Sequence, residues 1–154
     1  MDYFGTTNPK NMPEHLFFGA IYKNYETAVK ADISKQNFSV CPRHWYIDVG
    51  FKCKGCEQTF IWLVEEQKAW FEEYVHYIDS KPNHCRQCRY QQRRIKKWKQ
   101  IYDQHLKLAR SKGDIDAKIT IINTIDSMEK SGAHIPKRML EVRDLFRKQV
   151  YKLK

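Results

Sequence analysis

The sequence predicts an α+β protein that is mostly helical, with a small hairpin-bearing module followed by a C-terminal helical hairpin or three-helix unit. Three observations lead there. Two Cys-x-x-Cys pairs, Cys53-Lys54-Gly55-Cys56 and Cys85-Arg86-Gln87-Cys88, take four of the five cysteines. Aromatic and β-branched residues cluster with partial alternation on either side of the first pair, as in strands. Beyond the second pair, apolar residues recur three or four apart almost to the end of the chain, as in helices.

In residues 1–40, Pro13-Glu14 is expected to open a helix carrying Leu16, Phe17, Ile21, Tyr25, Ala28 and Val29 at near-helical intervals, with Gly19 interrupting it. Trp45 to Lys52 and Gln58 to Leu63 then read as a hairpin with the first cysteine pair at its turn. Gly55 is expected to supply a positive φ and room for amides to approach the sulfurs. From Glu65 the period changes. Ala69, Trp70, Val75 and Tyr77 mark one side of a short acidic helix ending near Ile78-Asp79-Ser80-Lys81-Pro82.

A longer helix follows Cys88, with Ile95, Trp98, Tyr102, Leu106 and Ala109 along one side and Gly113 as its stop. Asp114 or Asp116 caps another through Ile115, Ile119, Ile122, Ile125 and Met128. Pro136 opens a last one through Met139, Val142, Phe146 and Val150. The expected organisation is an N-terminal segment over 1–40, a metal-binding domain over 41–94 and a basic helical region over 95–154.

Four thiols on two tight turns suit a closed tetrahedral site for one structural Zn²⁺, ligated by Cys53, Cys56, Cys85 and Cys88. Disulfides would need an oxidising compartment. The opening residues Met1-Asp2-Tyr3-Phe4-Gly5-Thr6-Thr7-Asn8 show no basic region followed by an apolar run, so a cytoplasmic location is expected. No stretch approaches the roughly 18 apolar residues that a membrane span requires, and no membrane partner is expected. Cys41-Pro42-Arg43-His44 also has ligand-type residues at this spacing, but one pair cannot close a second tetrahedron.

The net charge of +10 is unevenly spread. Residues 86–112 sum to +9 and residues 137–154 to +5, whereas 1–85 and 113–136 each sum to −2. The positive field therefore begins at the second cysteine pair. A basic stripe of this kind is an electrostatic footprint for phosphates or for an acidic protein surface.

The order of elements is a cysteine pair on a hairpin, a short helix, then a cysteine pair at the start of a long helix, which is treble-clef topology. Thiolates there are favoured by the partial positive charge of the helix N-terminus, and Lys54, Arg86 and Arg89 are expected to lower their pKa values further. The run Phe51-Lys52-Cys53-Lys54-Gly55-Cys56, with Phe60 to Trp62, Glu66-Gln67, Trp70-Phe71 and Cys85-Arg86-Gln87-Cys88-Arg89, resembles the bacterial "probable zinc-ribbon domain" family over roughly residues 42–94. That resemblance implies a treble-clef-like fold and zinc on the same four cysteines, and no established activity. The chain departs from the Cys-Gly dipeptide common in zinc knuckles, since Gly55 precedes Cys56 and Glu57 follows it.

The expected function is non-enzymatic binding of DNA or RNA, dominated by the phosphate backbone. Arg86, Arg89, Arg93, Arg94, Lys96, Lys97 and Lys99 are the candidate phosphate contacts. Most of the large aromatics, including Trp45, Tyr46, Phe60, Trp62, Trp70, Phe71 and Trp98, are expected to complete small cores. Tyr90, within a polar and basic strip, is expected near a ligand. The alternative is a protein-interaction adaptor using residues 114–150. A treble-clef nuclease of the HNH type would need His76 or His84 in catalysis, but no histidine lies on the hairpin strand leading away from the first cysteine pair and no Asn-His arrangement sits on the helix after the second. Glu65, Glu66, Glu72 and Glu73 read as a solvated face, and no phosphate-cradling loop or nucleophile elbow points to a small-molecule substrate.

Overall fold

The structure, a computed structural model, describes residues 4–111 and 113–152; residues 1–3, Lys112 and residues 153–154 lie outside that description. The chain is α+β and divides into two compact units, Met1–Cys88 and Arg89–Lys154. Its elements run β1 (Tyr22–Lys30), β2 (Trp45–Lys52), β3 (Thr59–Trp62), α1 (Val64–Lys68), α2 (Arg86–Ser111), α3 (Ile115–Lys130) and α4 (Lys137–Tyr151).

The first unit is built on a three-stranded antiparallel sheet in the order β1-β2-β3. The expected hairpin is present, with Phe51 opposite Phe60 and Lys52 opposite Thr59 at the end that carries the first cysteine pair. The expected N-terminal helix is not. Only a 3₁₀ turn forms at Glu14–Phe17, Phe18 and Gly19 both take positive φ, and the chain then enters β1. Two left-handed residues in succession break a helix, and Tyr22, Tyr25, Thr27 and Val29 favour a strand once β2 offers pairing partners. Tyr22 pairs with Gly50 and Lys30 with Trp45, with an irregularity between Asn24 and Val29. There the Asp48 N–H donates to the Thr27 hydroxyl oxygen at 2.8 Å. Residues 22–30 are thus joined to β2 by a ladder, within the compact unit Met1–Cys88.

Trp62, Tyr46, Phe71, Ile47 and Val49 are essentially inaccessible and centre the first core. Phe71 stacks on Phe18 with centroids 6.1 Å apart and on Tyr46 at 5.9 Å, and Trp62 meets Trp70 edge-on at 5.7 Å. Burying each large side chain contributes about 1.5–3 kcal/mol, which lets a small sheet hold together. The buried side of α1 differs from the expected one. Val64, Gln67 and Phe71 face inward, while Val75 and Tyr77 are exposed. The cause is a π-helical turn, Ala69–Glu73, directly after α1, in which the Tyr74 N–H donates to the Ala69 carbonyl; the wider turn shifts the helical phase. Glu72, expected in solvent, is turned inward and accepts the Asp32 N–H at 2.9 Å.

Arg43 is a structural residue in this unit. It is buried, donates to the carbonyl oxygens of Leu16 and Ile78 and to the Asp79 carboxylate, and its guanidinium carbon lies 3.8 Å from the Phe18 ring centroid. Burial lowers its pKa first, opposed by the Asp79 charge.

The second unit is a three-helix core. Tyr102 and Ala109 come from α2, Ala117, Ile121, Ile125 and Met128 from α3, and Met139, Val142 and Phe146 from α4. Asp114 caps α3, accepting the Ala117 N–H at 3.1 Å, and Gly113 takes φ 62° as the stop before it. The inward stripe of α3 is Ala117, Ile121, Thr124, Ile125 and Met128, and the expected Ile115 and Ile119 are exposed. Isoleucines at 115, 119, 121, 122 and 125 fit more than one helical stripe, so packing against α4 sets the phase. Arg143 and Arg147 of α4 both reach Asp126 of α3. Among the described residues no helix is long and apolar enough to cross a membrane.

Candidate metal centre

The sulfurs of Cys53, Cys56, Cys85 and Cys88 all lie within 4.8 Å of one another, and none is in a disulfide. Cys56 and Cys85 sulfurs are 3.9 Å apart. Zinc bonded to four thiolates at about 2.3 Å requires sulfur–sulfur edges of about 3.8 Å, whereas a disulfide requires about 2.0 Å. The four-thiolate set therefore fits zinc in both ligand type and spacing.

The backbone brings the sulfurs together. At the first turn, the Cys53 N–H donates to the Gln58 carbonyl at 2.8 Å, and the Glu57 N–H to the Cys53 carbonyl at 3.0 Å. The second turn is joined to the first by the Lys54 N–H donating to the Asn83 carbonyl at 2.9 Å, and by the Cys85 N–H donating to the Cys53 sulfur at 3.2 Å. Cys85 precedes the first residue of α2, and its sulfur accepts the Cys88 N–H at 3.4 Å, in the manner of an N-cap.

Gly55 acts differently from expectation. Its φ is not positive; instead Glu57 takes φ 61°, at the position where a Cys-Gly dipeptide would put glycine. Gly55 is required by close approach. A Cβ there would lie 3.1 Å from the His84 ring and 3.2 Å from the Cys88 sulfur. His84 thus packs on the first turn, and His76 lies against Trp70 with ring centroids 4.4 Å apart.

The cluster prepares one thiolate. Burial acts to raise the Cys53 pKa, but hydrogen bonds from the backbone of Cys56, Cys85 and Gly55 outweigh it and bring the value to about 6. These N–H groups, and not the basic side chains expected from sequence, are the leading cause of the depression. Cys88 moves oppositely, pushed up to about 12 by its hydrogen bond with Cys85 and then by burial. Four adjacent thiols cannot all ionise alone, and a divalent cation removes that conflict.

The expected phosphate contacts lie along α2. At 3.6 residues per turn, Arg86, Arg89, Arg93, Lys96 and Lys97 fall within about 100° of arc, opposite the buried Tyr102 and Ala109. Arg86, Arg93, Arg94, Lys96, Lys97 and Lys99 are exposed, whereas Arg89 is half-buried. Arg89, Gln92, Arg93 and Lys96 line a shallow depression of about 310 Å³. Tyr90 is 56% exposed. Sequence reasoning missed the placement of Arg94, whose guanidinium carbon lies 5.6 Å from the Tyr90 ring centroid and 4.7 Å from that of Trp98. The i, i+4, i+8 spacing of these three residues was the available signal.

The hairpin, the turn-bound cysteines and the helix that begins between them define a zinc-binding treble-clef module. Residues 47–97 match a family model described as "Probable treble clef domain". Neither a curated protein nor a solved structure matches the chain.

Proposed function

We propose that this protein is a zinc-stabilised, non-catalytic nucleic-acid-binding protein that holds phosphates on the exposed face of α2. The observation that carries the reading is the concentration of +8 on α2, Arg86–Ser111, whose Arg93, Lys96, Lys97 and Lys99 form no ion pair among the described residues. Cations on the other helices of this chain are offset by acids, Lys137 by Glu141 at i+4 and, across to α3, Arg143 by Asp126 and Glu129 and Arg147 by Asp126. A row of unbalanced cations raises the local concentration of polyanions.

The test is binding of the zinc-loaded protein to labelled single-stranded and duplex DNA and RNA across a salt series. Tight binding with a steep salt slope is expected, and Arg93→Glu with Arg94→Glu should weaken it for every sequence and reduce the slope by about 1 per lost phosphate contact. Unchanged affinity in the double variant refutes the assignment of the site to α2. Incubation with Mg²⁺ or Mn²⁺ should leave the nucleic acid intact; cleavage lost in His84→Ala would instead favour a nuclease.

A protein-interaction adaptor is the second reading. It is favoured by Ile115 and Ile119, 45% and 39% exposed on α3. Absence of nucleic-acid binding at moderate salt would move the assignment to this surface.

A further inference from the structure

We infer that the α2 surface takes single-stranded nucleic acid in preference to duplex, with Tyr90 as a stacking platform for an unpaired base; this deepens the phosphate-binding reading and rests on it. Tyr90, Arg94 and Trp98 occupy successive turns of one helix and cover about 12 Å of its length. Trp98 is half-buried and packs on the core of the second unit, so its position is set by the fold. The Arg94 guanidinium lies between the two rings, 4.7 Å from the fixed Trp98 and 5.6 Å from Tyr90. A cation held over a tyrosine ring from one side orients it without covering it, and Tyr90 remains more than half exposed.

The neighbouring row supplies the other half of the geometry. Arg93 and Lys97 are exposed and sit about 60° around the helix from the centre of the Tyr90–Arg94 pair. Cations and an exposed ring therefore stand side by side on the same turns. A single strand can use both, placing phosphates on the cations and a splayed base on the ring. A duplex offers only the phosphates, because its base faces are already stacked on each other. An exposed tyrosine braced by an arginine gives no advantage to a surface that contacts backbone alone.

The experiment compares wild type, Tyr90→Phe, Tyr90→Leu and Arg93→Glu with Lys97→Glu, by fluorescence anisotropy against labelled oligo(dT), oligo(U) and a mixed-sequence duplex of equal length. Far-UV circular dichroism and zinc content confirm that each variant is folded. Wild type is expected to prefer the single strands. Tyr90→Leu should lose about 5- to 150-fold in single-strand affinity with an unchanged salt slope. Tyr90→Phe should retain it, and duplex affinity should not respond to either. Equal affinity for single strand and duplex, or a Tyr90→Leu variant that binds oligo(dT) and oligo(U) like wild type while the charge reversal still weakens binding, overturns the stacking platform and leaves the phosphate reading intact. Failure of the wild type to bind any of the three polymers overturns both.

Discussion

Gly55 lies so close to Cys88 that a β-carbon on it would stand 3.2 Å from the Cys88 sulfur. The same carbon would meet the His84 ring at 3.1 Å. The glycine belongs to one turn and the cysteine to the other, so this contact sets how closely the two turns approach.

Gly55→Ala is accordingly expected to weaken zinc binding by about tenfold or more, the scale seen when groups supporting metal ligands are altered. The sulfur cannot yield a few tenths of an ångström without leaving its tetrahedral position. Competition with a chromophoric chelator measures the effect, and wild-type affinity in the variant would show that the turns can separate without consequence.

Glu57 holds a left-handed conformation that costs a residue with a side chain about 1–2 kcal/mol. Glu57→Gly should remove that strain while making the unfolded chain more flexible, for a net gain of roughly 0.5–1 kcal/mol. Denaturant unfolding of the zinc-loaded protein measures it, and a loss of stability would mean that the Glu57 side chain makes a contact worth more than the strain.

Cys53→Ser and Cys88→Ser should each abolish stoichiometric zinc and disorder the junction between β3 and the start of α2, because binding energy here is folding energy. Acid should act through the same atoms. A thiol held below its ordinary value contributes stability that is present above that value and is lost as pH falls through the folded one. Protons and zinc compete for these thiolates, so zinc retention should decline on acidification, and only below the value of about 6 that Cys53 takes in the metal-free site. Elemental analysis after dialysis against chelator at several pH values gives the profile, and retention that does not change with pH would contradict it.

Arg43→Ala should destabilise the first unit by about 3 kcal/mol, since the carbonyls of Leu16 and Ile78 lose a donor in a buried setting. Zinc stoichiometry at low temperature should be unchanged. A variant that loses zinc while remaining folded would place Arg43, or its neighbours Cys41 and His44, nearer the metal than the structure does.

Local pattern was enough for the features that depend on spacing along the chain. The four ligands, the strands on either side of Cys53 and Cys56, the long helix after Cys85 and the break from Ser131 to Pro136 were all legible, because knuckle spacing, alternation, a 3.6-residue period and turn residues are written in consecutive positions. The exposed Tyr90 was legible for the same reason, lying among Arg89, Gln91, Gln92 and Arg93 with no apolar neighbour to cover it.

What the sequence could not decide were the features set by partners distant in the chain. Residues 22–30 became a strand because β2 was there to pair with them, and α3 turned Ile121 inward and Ile115 outward because α4 packs on one side only. Glu72 was drawn inside by the Asp32 amide, forty residues earlier, and Gly55 was needed for the approach of Cys88 and not for its own φ. A residue's local preferences amount to about 1 kcal/mol or less in most cases, whereas burial of one aromatic ring or closure of one buried hydrogen bond equals or exceeds that, so tertiary contacts prevail wherever the two disagree.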